Sequence, residues 1–450
     1  MAALSSDEKA LVSRLLAKLH DSREQCQRMD AYYEGKQRLE HMGLATPPEL
    51  RRFETVINMP RMAVDEPERR QALKGFQRIG TSKIDAGLQD GWDYNNMSSQ
   101  SSLAHKDART YGRAYVTVGA NPEDPGQPLI TVEPPDSMET LADGRGRRVV
   151  AALRTYDDET DRRSRATLYL PDATRWLVWE RSGWVDEQAP NEHRLGRVPV
   201  VVLINRPRTG RVDGVSEMAD VIGMTDAIAR MVTNMQVAGE ALAVPHRWAT
   251  GLKPEDFVDK QGRPRTTWEA YMDVMKLSRN PDAKFGSFAA ADLKNFTDAV
   301  NNMMAWCAAM LGLPTRYAGQ QSVNPATEGA IRADEARLIK NVERMNTHDG
   351  DAWAWVMGLR ERLISGEWPA TNDIRALWFD PATPTRAQMA DATMKMFQVG
   401  VLSREGAWDE MGWDTARKDL ERAYFAAEAA DPLLDKLADG AQESGGGRTS

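Results

Sequence analysis

Apolar positions at the start of the chain recur every three to four residues. Leu11, Leu15, Leu16 and Leu19 share one helical face behind the cap region Ser5-Ser6-Asp7. Pro47-Pro48 and Pro60 then divide the first ~100 residues into short helices joined by turns. From about Arg113 the pattern changes to β-branched and aromatic runs, at 114–118, 129–132, 149–156, 166–170, 176–179 and 198–204. Acidic, glycine or proline turns separate them, among them Asn121-Pro122, Asp143-Gly144, Asp157-Asp158 and Ser182-Gly183. Short strands at this spacing predict an antiparallel, mainly β insert within a helical protein.

The most regular stretch follows. Behind a Ser216 N-cap, Met218, Val221, Ile222, Thr225, Ile228, Val232 and Met235 keep helical spacing, with Pro245 as the stop. A helix over 216–243 has 28 residues and would be about 42 Å long. Asp226, Arg230 and Glu240 interrupt it, so it does not read as a membrane span. Residues 246–286 are irregular, and their eight basic and six acidic residues leave a local charge of +2. A second apolar helix carries Leu293, Phe296, Val300, Met304, Cys307 and Leu311 and ends at Gly312-Leu313-Pro314. A polar loop with Arg316, Gly319, Gln320, Gln321 and Ser322 leads to Asn324, which caps a third long helix with Pro325 in its first turn. Glu328 and Arg332 form an i,i+4 pair there, and Ile331, Leu338, Val342 and Met345 make an apolar stripe running toward Leu363. A smaller helical unit follows Pro381 and Pro384, and the last residues are rich in Gly and Ser.

Composition narrows the function classes. The 450 residues carry 58 Lys and Arg against 66 Asp and Glu, a net charge of −8, which argues against a broad basic surface for nucleic acid. Contact with nucleic acid confined to one segment is still allowed. Cys26 and Cys307 stand far apart without a CxxC pair, so neither a disulfide framework nor a cysteine zinc site is expected. The first residues lack a signal-peptide apolar core, and the chain reads as made in a cytosol.

Catalytic signatures are absent as well. Gly35-Lys36 is followed by Gln37, which breaks a phosphate loop, and Gly144-Arg145-Gly146 reads as a hairpin turn. No HExxH and no G-x-S-x-G occurs. The pairs Asp349/Asp351 and Asp157/Asp158 read as a solvated helix end and a hairpin tip. Trp353, Trp355, Trp368 and Trp378 suit core or subunit packing better than a base-stacking platform. No catalytic residue, metal ligand or cofactor is assigned.

Several strings occur in a fixed order: Tyr32-Tyr33-Glu34-Gly35 with Leu39; Ile57-Asn58-Met59-Pro60-Arg61 with Val64-Asp65; and the run from His105-Lys106-Asp107-Ala108-Arg109 through Thr110-Tyr111-Gly112-Arg113-Ala114-Tyr115-Val116. Then come Val198-Pro199-Val200-Val201, Asn205-Arg206-Pro207-Arg208, Gly312-Leu313-Pro314 with Tyr317 and Gly319, and Asn324-Pro325 opening the helix through Arg344. Together with the order of elements, these resemble the portal proteins of long-tailed double-stranded-DNA bacteriophages, from about Tyr32 to Arg344. One stretch departs from that pattern: Ala72-Leu73-Lys74 precedes Gly75-Phe76, where the family has a more apolar strand.

The resemblance implies an α+β portal-type fold assembled as a cyclic ring of about twelve subunits. Its parts would be a wing over 1–215 (β-rich from about 113), a first stem helix over 216–244, a small mixed α/β clip over 245–288 and a second stem helix over 289–312. A channel loop over 313–325, a long wing helix and return over 326–383, a helical crown over 384–438 and a disordered tail over 439–450 complete it. Arg316, Gln320, Gln321, Ser322 and Asn324 would face DNA in the channel. Lys253, Lys260, Arg263, Arg265 and Lys276 are the clip candidates for DNA or partner contact. Met218, Ile222, Ile228, Val232, Met235, Leu293, Phe296, Val300 and Met304 would pack stem against stem between subunits.

The implied partners are copies of the chain itself, double-stranded DNA without sequence preference, major capsid and scaffold proteins, the terminase motor and head-completion or adaptor proteins. No membrane is among them. The implied place is the portal vertex of the virion, after synthesis in the host cytoplasm. The competing reading is a virion-associated adaptor or scaffold protein without a DNA channel. A motor ATPase would need a phosphate loop, which the sequence lacks.

Overall fold

Helix α1 (Ser6–Glu34) begins with a capping box, in which Ser5 Oγ accepts from Glu8 N and the Glu8 carboxylate accepts from Ser5 N at 2.8 Å. It ends at Gly35, whose φ of 66° is the left-handed stop that glycine tolerates. The computed structural model describes residues 4–37, 55–81, 83–145, 148–158, 161–181, 183–209, 213–243, 247–251, 263, 282, 284–287, 293–319, 328–382, 386–413 and 415–429. They fall into two units, Met1–Pro381 and Ala382–Ser450.

In the first unit α1 is followed by α2 (Met59–Glu68), β1 (Leu73–Arg78), α3 (Ala86–Tyr94) and α4 (Met97–Tyr111). The β insert then runs through β2 (Arg113–Gly119), β3 (Leu129–Glu133), β4 (Met138–Ala142), β5 (Val149–Asp157), β6 (Ser164–Tyr169), β7 (Thr174–Glu180), β8 (Gly183–Asp186) and β9 (Val200–Ile204). Strands β4 to β8 form a five-stranded antiparallel meander, and β3-β2-β9 form a second sheet. One face of the meander buries Ala151, Leu153, Ala166, Leu168 and Leu177 against Val12 and Leu15 of α1. The other face meets the second sheet through Met138, Ala152, Tyr115 and Val200. Central strand β2 is covered on both faces: Ala114, Val116 and Val118 point into the core that holds α3 and α4, while Tyr115 points the other way. That double burial explains why its sequence reads as a continuous apolar run rather than an alternation.

The remainder of the unit is α5 (Ile222–Ala243), the pair β10 (Arg247–Thr250) and β11 (Lys284–Ser287), α6 (Lys294–Leu311), α7 (Glu328–Ser365) and β12 (Ile374–Trp378). Helix α7 has 38 residues and is about 57 Å long. Its Trp353, Val356, Met357 and Leu359 close the main core over β2 and β9. Trp92 meets Trp353 edge-on, with ring centres 5.1 Å apart, and Trp353 Nε1 donates to His105 Nε2 at 2.9 Å. Trp355 and Trp368 instead stack on each other at 5.3 Å, with the Arg197 guanidinium 4.8 Å from the Trp355 ring centre.

Several expectations need correction. The helix expected from Ser216 opens as a 3₁₀ turn (Glu217–Asp220), so the α-helical part is 22 residues long. Ser216 Oγ accepts from Met218 N at 3.1 Å and donates to Arg109 O at 3.3 Å, which ties this turn to α4. The stretch that is polar for a strand belongs to β1, which pairs with β12 as a two-stranded sheet and adds one bridge between Gln77 and Ile84. Phe76 is buried in the core while Lys74 is exposed, so one apolar anchor suffices. On α7, Leu338, Val342 and Met345 are buried as expected, whereas Ile331 is 37% exposed. Asp349 does not lie at a solvated helix end. It sits inside α7 at 1% exposure, whereas Asp351 is exposed.

The second unit contains α8 (Arg386–Gln398), α9 (Arg404–Glu410) and α10 (Thr415–Ala429). Trp408 stacks with Trp413 and Phe425 at 5.8 and 5.9 Å, and Glu405 accepts from Arg422 Nε and Nη2 at 2.8 and 2.7 Å.

Two titrating groups give the first unit an acid and an alkaline side. Burial pushes the Asp107 carboxyl up to about 7, with like charge from Asp30 and Asp136 adding to it. Burial also lowers His105 to about 4. Between about pH 4 and 7 folded Asp107 retains a proton that the unfolded chain gives up, so its contribution to stability declines as pH rises through that window. His105 acts oppositely: unfolding lets it take up a proton between about pH 4 and 6.5, so stability falls as pH drops. Asp107→Asn should therefore be more stable than wild type at pH 8, with the gap closing toward pH 4, as read by urea midpoints across pH. An equal gap at both ends would contradict the assignment.

Candidate functional site: the antiparallel helix pair, the turn after it and a buried junction

Helices α5 and α6 run antiparallel. Gly239 near the end of α5 faces Leu293 just before α6, and Thr297 Oγ1 lies 3.9 Å from Met235 Sδ. Their apolar stripes face one another and α2: Met218, Val221, Ile228 and Val232 are buried with Val300, Cys307, Met59 and Val64. Met218, Ile228, Val232 and Val300 are already buried inside their own chain, because the two stripes satisfy each other. Ile222, Met235, Leu293, Phe296 and Met304 are half-buried. The large apolar side chains left uncovered on α6 are Trp306, 56% exposed, and Met310, 42% exposed, one turn apart.

Past α6 the chain turns at Gly312, with φ 71°, into a 3₁₀ turn (Thr315–Ala318). Arg337 Nη1 of α7 donates to Ala309 O at 2.8 Å, a cation on the carbonyl end of α6. Arg316 does not present a free cation. Its Nη1 donates to Asp334 Oδ2 at 2.9 Å, and its Nη2 is paired with Glu335, both on α7. Glu335 also accepts from Tyr317 Oη at 3.2 Å and from Arg70 Nη1 at 3.2 Å, and Arg70 Nη2 donates to Tyr317 Oη at 3.0 Å. One carboxylate thus gathers Arg70, Arg316 and Tyr317 around the start of α7. Gln320, Gln321, Ser322 and Asn324 lie outside the described residues, as do Lys253, Lys260, Arg265 and Lys276; Arg263 is described.

Below this cluster lies a buried polar junction. Arg109 of α4 and Asp349 of α7, each 1% exposed, form an ion pair through Arg109 Nη2. Arg109 Nη1 donates to Asn205 Oδ1 at 2.7 Å, and Gln71 Nε2 donates to Asp349 Oδ2 at 2.9 Å and to Asn346 Oδ1 at 3.1 Å. Asn205 Nδ2 in turn donates to Val215 O at 2.7 Å and Glu217 Oε1 at 3.0 Å. A chain of hydrogen bonds therefore runs from α7 to the turn that precedes α5. Two glycines permit the approach: Gly112 has φ 91°, and a Cβ on Gly214 would stand 1.8 Å from Gly112 O. The strings around Arg109-Thr110-Tyr111-Gly112 and Asn205-Arg206 supply much of this junction, and Arg70, Asp334, Glu335 and Asp349 were not singled out as functional from sequence. Their partners lie far along the chain, beyond the reach of any local pattern.

Among the described residues no cluster of three or more His, Cys, Asp or Glu side chains is arranged to hold a metal ion. None of their helices is long and apolar enough to cross a membrane.

A structural component built of helical and β layers around an antiparallel helix pair is the class this architecture fits. The chain belongs to the phage portal protein family, SPP1 Gp6-like, whose profile matches residues 13–432. It is 36% identical over 428 residues to the portal protein of Mycobacterium phage D29, covering 92% of this chain and 88% of that one. It is 34% identical over 437 residues to the portal protein of Mycobacterium phage L5, covering 94% and 90% of the two chains. A chain from the virion of the native gene transfer agent particle superposes with a TM-score of 0.48 at 14% identity, covering 83% of this chain and 96% of that one. That last likeness is too loose to bear on function.

Removing one partner of a buried ion pair strands the other, at a cost of about 3–5 kcal/mol. Asp349→Ala should lose stability of that order in urea unfolding followed by tryptophan fluorescence. Arg109→Met combined with Asp349→Leu should recover most of the loss. A loss below about 1 kcal/mol for Asp349→Ala would show that the junction does not hold the long helix in place.

Proposed function

We propose that this portal protein assembles as a closed ring of about twelve copies at one capsid vertex, where it forms the conduit for double-stranded DNA during packaging and ejection. The observation that carries this reading is the family match over residues 13–432, which leaves no large part of the chain outside the portal pattern. On this reading residues 1–215 with 326–383 are the wing, 216–244 and 289–312 the stem, 245–288 the clip, 313–325 the channel loop and 384–438 the crown. The clip meets the terminase motor and later the head-completion or adaptor proteins, with Lys253, Lys260, Arg263, Arg265 and Lys276 as its basic contacts. Major capsid and scaffold proteins surround the wing. The work is structural, and no catalytic step is assigned to any residue.

Two physical points support the conduit. A chain of net charge −8 does not adhere to DNA over a broad surface, which suits a polymer that must slide. The polar loop residues Gln320, Gln321, Ser322 and Asn324 offer neutral contacts to phosphate rather than fixed ion pairs. Arg316 takes a supporting role, since Asp334 and Glu335 engage its guanidinium. Stem-to-stem contact between neighbours falls to Trp306 and Met310, which the chain's own core leaves open.

Light scattering on the purified wild-type chain should give a particle near 600 kDa, about twelve times the 50.2 kDa chain. Trp306→Asp should shift the particle to the 50 kDa chain with its circular dichroism unchanged; intact rings from that variant would contradict the contact. Deleting residues 320–322 should leave rings intact and impair DNA packaging or retention. Normal DNA-filled heads from the deletion would remove this loop from the channel.

A further inference from the structure

A cavity of about 250 Å³ opens beside the buried junction, between the segment that follows β9 and the middle of α7. Arg206, Arg208, Arg344 and His348 line it together with Glu217, and Arg109 forms part of its wall. Arg109 is 1% exposed, and its Nε finds no acceptor among the described residues. Arg206 is held at φ 51°, a left-handed conformation that costs a side-chain-bearing residue about 1 kcal/mol or more and that persists only where the surroundings enforce it. Its Nη1 lies 2.8 Å from Asp220 Oδ2 as a close ion pair without hydrogen-bond alignment.

The charges do not cancel. Asp349 answers Arg109 and Asp220 answers Arg206, while Glu217 is the one carboxylate in the lining and already accepts from Asn205 Nδ2. Arg208 and Arg344 have no carboxylate partner among the described residues, and both are exposed at the cavity mouth. Guanidinium groups from two separate elements converging on one small space match a tetrahedral oxyanion, which can accept from several forked donors at once. The volume is about that of eight waters, enough for one phosphate group and a partial hydration shell.

We propose that this cavity is an oxyanion site that takes a single phosphate group. A phosphate on the DNA backbone and free inorganic phosphate share that chemistry. The site itself does not depend on the conduit reading, whereas its use by DNA does. Bound there, the anion bridges the wing helix through Arg344 and the post-β9 segment through Arg208, next to the base of the first stem helix.

The probe is potassium phosphate, titrated calorimetrically into the full-length protein at constant ionic strength, with chloride as the control. Wild type should bind phosphate saturably, and the double variant R208Q/R344Q should bind at least about tenfold more weakly with unchanged circular dichroism. R344K, which keeps the charge without the fork, should fall between them. A fluorescent duplex of about thirty base pairs separates the sources. If the double variant also loses about tenfold in duplex affinity and phosphate competes, the backbone is the ligand. Unchanged duplex affinity alongside lost phosphate binding assigns the site to free phosphate. No saturable phosphate binding by wild type, or equal binding by wild type and double variant, overturns the proposal. So does loss of ring assembly in the double variant when wild type binds no phosphate, because the cavity would then take a carboxylate of a second copy.

Discussion

The ion pair between Arg109 and Asp349 sets the geometry of the first unit. It joins α4 to the middle of the 38-residue α7 at a point where both side chains are 1% exposed. Charges so placed are tolerable only when their remaining hydrogen bonds are met. Here Gln71 and Asn205 meet most of them. Asn205 passes the connection to Glu217, in the 3₁₀ turn that leads into α5. The position of α7 and that of the start of α5 are thus set by one polar cluster. The Gly112–Gly214 backbone contact fixes the same point sterically, since neither position has room for a side chain.

The Glu335 cluster performs a similar task one level higher. Arg70, Arg316 and Tyr317 meet at its carboxylate and bind the 3₁₀ turn after α6 to the start of α7. The 3₁₀ turn after α6 and the first turns of α7 are thereby held together by side chains from three elements.

Much of the fold was legible in the sequence, for identifiable reasons. The Ser5–Glu8 box and Gly35 stop are local signals and mark α1 correctly. The β insert was readable because β2 and its neighbours are covered on both faces, leaving long β-branched runs. Strand β1 was not, because a two-stranded pair with one buried anchor leaves Lys74 and Gly75 free to break the pattern. Helices α5 and α6 were legible from their apolar stripes, but periodicity shows that a face is buried without saying what buries it. Val232 and Val300 face their own chain's core, while the uncovered pair Trp306 and Met310 sits off the stripe. The partners of Asp349 and Arg316 were not legible for a related reason. Each draws its role from a partner 240 or 19 residues away, and no local spacing encodes that.

The central claim is that this chain closes into a ring around an axial channel. The most direct test is averaged electron micrographs of the purified full-length protein, or of particles co-expressed with the cognate capsid and scaffold proteins. The account predicts turbine-shaped rings of about twelve subunits with an opening of about 20 Å or more, wide enough for duplex DNA. Particles without an axial opening, or a chain that stays monomeric even beside its capsid partners, would contradict it.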